Sequence, residues 1–273
     1  ERSSKEKNMR HSLNKTPQFY VTAPHECPYL DQKIERKLFT SLDGADSQSL
    51  NDALSKQGFR RSQNVLYRPS CSECSACLSA RIPIAGFEFS KSEKRVLKRN
   101  SSLSREIKTP WATDKQFNLF KKYVQRRHEK GGMAGMNEFE FSAMIEETSV
   151  KTLICEYSTD KNIFAVSITD EIEDGLSMVY SFYEPDFPEL SLGKFMILDH
   201  IRLAKEIGLS YVYLGYWVKG SKKMNYKAQY TPLEIFSNGE WSLLKDNEDT
   251  KISQGTNIFQ KSNDTIYLPK SSV

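Results

Sequence analysis

The chain has no long hydrophobic run, no glycine-rich nucleotide loop and few histidines. Its mean hydropathy is −0.59. Without about 20 consecutive apolar residues, a membrane-spanning helix is excluded and no membrane partner is expected. The opening residues, ERSSKEKNMRHSLNK, are polar and charged, so no secretory signal is expected. Neither a Walker A loop nor a GxGxxG pattern occurs, and no nucleotide cofactor is expected. The histidines, His11, His25, His128 and His200, share no metal spacing, and no Ser-His-Asp pattern is present. A strong charge of one sign is also lacking. Lys and Arg number 39 against 35 Asp and Glu, a net charge of +4, which permits nucleic-acid binding without demanding it. Five cysteines is an odd number, and with no export signal this argues against a disulfide framework and for a reduced, cytoplasmic setting. A length of 273 residues allows one large domain or two modest ones.

Cysteine is concentrated in one place. Tyr67 to Arg81 reads YRPSCSECSACLSAR and holds Cys71, Cys74 and Cys77, with Cys27 upstream in HECPYL. Cys-x-x-Cys places two sulfurs within reach of one metal ion, a third can complete a face, and Cys27 is the natural fourth ligand. Zinc and an iron–sulfur cluster both need four ligands, so spacing does not choose between them. The plainer reading is ordinary thiols with one reactive member. Cys155 lies in an apolar strand and reads as core. Basic residues flank the loop: Arg60, Arg61 and Arg68 before it, Arg81 after it.

Periodicity organises the rest. Residues 49–57 read as a helix stopped by Gly58. Residues 59–67 are β-like, and 81–89 read as an edge strand at best, because Pro83 cannot donate to a ladder. Ser90 with Glu93, Thr113 with Gln116 and Asn137 with Glu140 are capping boxes that open three helices. Strands are expected over 151–157, 162–169 and 176–183, a helix over 191–207 and a strand over 210–215. A hairpin follows, turning at Asn238-Gly239. The order points to an α+β chain with one mixed sheet and one βαβ crossover. Pro110-Trp111 marks a boundary. The expected divisions are a disordered tail (1–18), a small Cys-containing α+β domain (19–110), a C-terminal domain built on the mixed sheet (111–245) and a polar tail (246–273).

In such a sheet a ligand sits where strands part, near a helix N-terminus, and Ser191-Leu192-Gly193-Lys194 is that terminus. Downstream, YVYLGYWVKGSKKMNYK brings aromatics and lysines together. Rings stack bases and lysines pair with phosphate, which suits the 3′ end of an RNA; the plainer reading is a packed sheet with surface lysines. Lys94, Arg95, Lys98 and Arg99 lie on the helix that Ser90 opens. A solvated face is the plain reading, but the basic Cys loop just before it favours phosphate contact.

HECPYL, GFRRS, YRPSCSECSAC, RRHEKGGM, DGLSMVYSFYEP, LSLGKFMILDHI, YVYLGYWVKGSKKMNYK and PLEIF together resemble the aminoacyl-tRNA–protein transferases, of the bacterial aspartate/glutamate leucyltransferase type. The resemblance runs from about residue 17 to 243, in order. It implies transfer of leucine from Leu-tRNA to the α-amine of proteins beginning with Asp or Glu, which marks them for N-degron degradation. It also implies a GNAT-like acyltransferase fold for the C-terminal half. In eukaryotic relatives an N-terminal cysteine set is associated with an iron–sulfur cluster; here Leu30 stands where the second cysteine of the first pair would be, and the later Cys-Cys pair is replaced by the triple series.

On that footing the reaction is aminolysis of an activated ester, with aminoacyl-tRNA as co-substrate. Tyr183 and Glu184 are the candidate proton acceptors, and the backbone N–H groups of Leu192 and Gly193 the candidate oxyanion donors. Arg60, Arg61, Arg68 and Arg81 are candidates to read the acidic acceptor. Tyr216, Trp217, Lys219, Lys222, Lys223, Tyr226 and Lys227 are assigned to the tRNA end. The reverse assignment, with Lys222 or Lys227 reading the acid, stays open. Three alternatives stand beside leucyl transfer: arginyl transfer, an acetyltransferase using acetyl-CoA, and a zinc-bearing RNA-binding protein.

Overall fold

The computed structural model describes residues 16–129 and 131–244. The tail expected at 246–273, and all but residues 16–18 of the one expected at 1–18, lie outside them. The first strands are short: β1 (Tyr20–Val21), β2 (His25–Glu26), β3 (Ile34–Glu35) and β4 (Lys37–Ser41). Helix α1 (Ser47–Lys56) leads to β5 (Arg60–Ser62), β6 (Val65–Pro69) and β7 (Cys77–Pro83). Then come α2 (Lys91–Arg99), β8 (Ser104–Lys108), α3 (Asp114–Arg127) and α4 (Glu138–Glu146). A meander follows: β9 (Thr152–Ser158), β10 (Ile163–Ile172) and β11 (Gly175–Tyr183). Helix α5 (Leu192–Glu206) crosses over to β12 (Tyr211–Val218), and β13 (Glu234–Ser237) and β14 (Glu240–Leu243) form the hairpin.

Local chemistry sets the helix starts. All three capping boxes are formed: Ser90, Thr113 and Asn137 each accept from the N3 amide, and the N3 side chain returns the bond. Each satisfies two otherwise orphaned amides. The segment expected as one strand over 59–67 is instead the β5–β6 hairpin, because Gln63 takes a left-handed φ of +49° and turns the chain with Asn64.

Eight strands form the main sheet, in the order β14-β13-β7-β12-β11-β10-β9-β8. β11 and β12 are parallel and are joined through α5. This is the crossover the sequence implies, set in a mixed sheet with flanking helices, and the architecture is GNAT-like. A second, antiparallel sheet has the order β1-β4-β6-β5 and packs with α1 around Leu42, Leu54, Phe59 and Leu66.

One expectation is corrected here. β7 is an interior strand, paired with β12 on one side and β13 on the other. Pro83 is its last residue, where a missing donor costs no ladder bond. β7 and β8 therefore carry two strands from before residue 110 into the main sheet, and the division expected at 110 separates no two sheets.

Apolar residues alternate across the sheet and bury two faces. α5 covers one with Phe195, Met196, Leu198 and Ile201, against Cys155, Tyr157, Ala165 and Leu176; Cys155 is core, as expected. α3 and α4 cover the other with Phe117, Phe120, Tyr123, Val124 and Phe141, against Ile154, Val166, Ile168 and Phe182. Each fully buried side chain of this size contributes about 1.5–3 kcal/mol. Between them the two layers fix the positions of β11 and of the first turn of α5.

Candidate active site

β11 and β12 pair at three positions only: Gly175 with Tyr211, Leu176 with Val212 and Ser177 with Tyr213. Beyond Ser177 the strands part. Each carries an extra residue there. Thr169 faces Met178 while Ile168 faces Tyr180, so Val179 is unmatched. Tyr213 faces Arg81 while Gly215 faces Ala80, so Leu214 is unmatched. Bulges bend strands and increase their twist, which opens the gap. At the closed end Gly175 is obligatory, since a Cβ there would stand 2.5 Å from the Tyr211 carbonyl oxygen.

The N-terminus of α5 borders the open end. Ser191 sits at φ +51° and makes no side-chain cap, so the first amides of the helix are left to other partners, and the helix presents its positive pole. Gly193 packs on Tyr183, the last residue of β11; a Cβ would lie 3.2 Å from Tyr183 Cε1. Tyr183, Leu192 and Gly193 are thus brought together. The Tyr183 hydroxyl accepts from Arg127 at 3.0 Å, and its ring lies 4.8 Å from that of Tyr123. Glu184 turns elsewhere. Its carboxylate binds Lys122 at 2.6 Å and accepts the Asp186 amide, so of the two proton acceptors Tyr183 has the better placement. Arg127 and the bulge at Val179 escaped the sequence reading. A helix C-terminal arginine looks like a dipole partner, and a bulge leaves no mark in residue type.

The four arginines separate. Arg61 is buried and clamps Asp170 at 2.5 and 2.6 Å while also reaching Thr152. Arg81 pairs with Glu234 at 2.7 Å, lies 3.7 Å from Asp174 and sits 3.6 Å from the Tyr211 ring centroid. These two are structural ties and leave the acceptor set. Arg68 lies over the Phe59 ring. Arg60 alone reaches the gap: it donates to Ser177 Oγ at 3.0 Å and to the Met178 carbonyl. Gly215, at φ +80°, makes room for it, since a Cβ there would come within 3.3 Å of Arg60 Nε.

The residues assigned to RNA also separate. Tyr216 and Trp217 are each 7% exposed. Tyr216 donates to the Gly58 and Tyr67 carbonyls, and so ties the sheet to the smaller domain. Both are walls and not stacking platforms, a correction forced by the smaller domain and α5 covering β12. Lys227 is buried, donates to the Tyr216 carbonyl and is pushed down to about 7, by burial first and by Arg60 second. Lys222, Lys223 and Tyr226 are exposed and Lys219 is half-buried. On α2, Lys94, Arg95, Lys98 and Arg99 are exposed. Arg99 donates to the Glu189 carbonyl and Asn100 to that of Leu190, which braces α2 against the turn entering α5.

Cys27 and the three loop cysteines, Cys71, Cys74 and Cys77, are free thiols. They lie within electrostatic reach of one another, and burial pushes Cys77 up to about 12. Cys74 and Cys77 pack on Ala76, Tyr216 and Val218. Among the described residues no three of His, Cys, Asp or Glu are placed to hold a metal ion.

Residues 115–237 match the family described as arginine-tRNA-protein transferase, C terminus, and residues 25–95 match its N-terminal counterpart. An aspartate/glutamate leucyltransferase of Dinoroseobacter shibae is 57% identical over 251 residues, covering 88% of each chain. One from Ruegeria sp. TM1040 is 59% identical over 242 residues, again covering 88% of each. The chain belongs to the aspartate/glutamate leucyltransferase family. It is an aminoacyl-tRNA-dependent transferase. Among solved structures, the C-terminal domain of a lysylphosphatidylglycerol synthetase of Agrobacterium fabrum aligns at 14% identity and a TM-score of 0.40, over 53% of this chain and 48% of that one. FemX aligns at 9% and 0.40, over 68% and 59%. No helix among the described residues is long and apolar enough to cross a membrane.

Proposed function

We propose that this protein moves leucine from Leu-tRNA to the α-amine of proteins whose first residue is Asp or Glu, at the gap between β11 and β12. The observation that carries this is the meeting of that gap, the uncapped α5 N-terminus and the Tyr183–Arg127 pair, in a chain whose relatives are named for this reaction. The amine nitrogen attacks the ester carbonyl carbon, the bond to the 3′ oxygen of the tRNA breaks with its electron pair going to that oxygen, and the proton the amine sheds is matched by one taken up there. Because an aminoacyl ester is already activated and an α-amine, with a pKa near 7.7–8.0, is partly neutral at pH 7, positioning supplies most of the rate. The Leu192 and Gly193 amides face the developing oxyanion. The Tyr183 hydroxyl, held by Arg127, relays the proton to the leaving 3′ oxygen, passing its own proton on as it receives the amine's.

The RNA lies along the exposed face of α2, with Lys222 and Lys223 at its end. The brace from α2 to the turn before α5 aligns that face with the reaction centre. Leucine as the donor is supported by the names of the relatives, and the cytoplasm, where charged tRNA is found, is the setting this reading implies. Incubating the protein with Leu-tRNA or Arg-tRNA and peptides beginning Asp, Glu or Ala, and following peptide mass, tests it. The expected result is leucine added to the acidic peptides alone. Acidic peptides that stay unmodified would refute it, and arginine added instead would transfer the reading to the arginyl donor.

A further inference from the structure

We infer that Arg60 and Lys227 form one buried seat for a single carboxylate, the side chain of the acceptor's first residue. This rests on the reading above and adds how the acid is told from its neutral analogue.

Two neighbours on β5 differ in how their charge is met. Arg60 and Arg61 are each 6% exposed. Arg61 is neutralised by Asp170 and hydrogen-bonded by Thr152 and the Gln63 carbonyl. Arg60 has no carboxylate partner among the described residues; its bonds go to a hydroxyl and a carbonyl. The carboxylate that acts on it from further off, Asp170, is already held by Arg61. Hydrogen bonds to neutral groups satisfy donors but do not cancel charge, and a buried charge is tolerated when it is paired. Two of the five N–H donors of Arg60 are used, which leaves donors for a further acceptor.

A second buried basic group stands beside the first. Lys227 is 3% exposed and has no carboxylate partner among the described residues; its amine donates to the Tyr216 carbonyl, one residue along β12 from the Gly215 that accommodates Arg60. Two adjacent buried cations repel each other, and Arg60 accordingly pushes Lys227 down, after burial itself. An incoming anion between them relieves both. Lys227 belongs to a short 3-10 turn, Asn225–Gln229, whose preceding residue, Tyr226, is 47% exposed. Tyr226 lies within electrostatic reach of both Arg60 and Tyr183. A seat beside the reacting strands suits a carboxylate a few bonds from the attacking amine. The exposed lysines of α2 and of the 222–223 turn suit RNA phosphate.

The test uses the full chain and peptide pairs that differ only in charge, Asp against Asn and Glu against Gln. Transfer is measured with Leu-tRNA, and peptide binding by calorimetry without tRNA, for wild type, Arg60→Gln, Arg60→Lys and Lys227→Gln. Wild type is expected to prefer Asp to Asn by roughly 100-fold or more, because a seat built for the acid leaves its donors unpaired with the amide. Arg60→Gln should cut that ratio at least 10-fold by raising KM for the peptide, with KM for Leu-tRNA unchanged. Lys227→Gln should cut it less, and Arg60→Lys should restore part of it. A folded Arg60→Gln that keeps the Asp/Asn ratio overturns the seat; if KM for Leu-tRNA rises instead, the anion is an RNA phosphate. If Arg60→Gln does not fold, the Arg60→Lys and Lys227→Gln ratios decide by the same rule. Wild type that binds Asp peptides over Asn but transfers no leucine would refute the transfer reading and leave the seat standing.

Discussion

The two ends of the β11–β12 pair treat charge in opposite ways. At the closed end, Arg81 is held by Glu234 and Asp174 and sandwiched between the Tyr211 and Trp241 rings, at 3.6 and 4.2 Å. At the open end Arg60, Lys227 and Arg127 have no carboxylate partner among the described residues, and their bonds go to neutral oxygens. Elsewhere buried Arg61 is paired with Asp170, and half-buried Arg105 with Asp199 and Glu206. Cations neutralised in the fold hold strands together. Cations left with neutral partners at a gap await an anion from the substrate. The contrast separates residues that look alike in sequence.

Breaking a paired site should cost stability first. Arg61→Gln strands Asp170 in the interior, and about 3–5 kcal/mol of unfolding free energy should be lost, read by urea titration, with the Asp/Asn preference of the folded fraction unchanged. At the open end the cost should fall on rate. Gly193→Ala drives a methyl into Tyr183, and turnover should drop about 10-fold or more; unfolding free energy should change by less than about 1 kcal/mol, since alanine suits a helix. An undiminished turnover would remove the Tyr183–Gly193 contact from the mechanism. Further out, the double change Lys94→Gln and Lys98→Gln should raise KM for Leu-tRNA several-fold and flatten its salt dependence by about 1–2 charges, with peptide KM unmoved.

The smallest effect concerns a buried titratable group far from the gap. His200 is fully buried and bonded to Thr169 and the Met196 carbonyl, and burial lowers its pKa from the ordinary value of 6.5. Below that value the unfolded chain takes up a proton that the folded chain refuses. Stability should therefore rise with pH up to about 6.5 and gain nothing from this group above it. His200→Gln should remove that slope, as stability measured across pH 5–7 would show.

Much of the fold was legible because it is decided locally. The capping boxes at Ser90, Thr113 and Asn137 are four-residue patterns, and the crossover helix shows in the spacing of Leu192, Phe195, Met196 and Leu203. Reading failed where the deciding partner is remote. Pro83 looked like an edge signal because its place at the end of β7 depends on β12, more than a hundred residues on. Tyr216 and Trp217 looked like stacking platforms until the smaller domain and α5 covered them. The arginines could not be sorted in sequence, because what distinguishes Arg61 from Arg60 is Asp170, 109 residues away. The turn that opens α5 was legible in Ser191 to Lys194, but the bulges that open the gap beside it belong to ladder registers and not to residue types.

The most direct test of the account sets the two neighbours on β5 side by side. Arg60→Gln and Arg61→Gln would each be measured for unfolding free energy and for the ratio of leucine transfer to Asp and Asn peptides. The account predicts crossed results: Arg61→Gln loses stability and keeps the ratio, while Arg60→Gln loses the ratio and keeps most of its stability. Equal losses of stability with both ratios intact would contradict it, and would make Arg60 a strut like its neighbour.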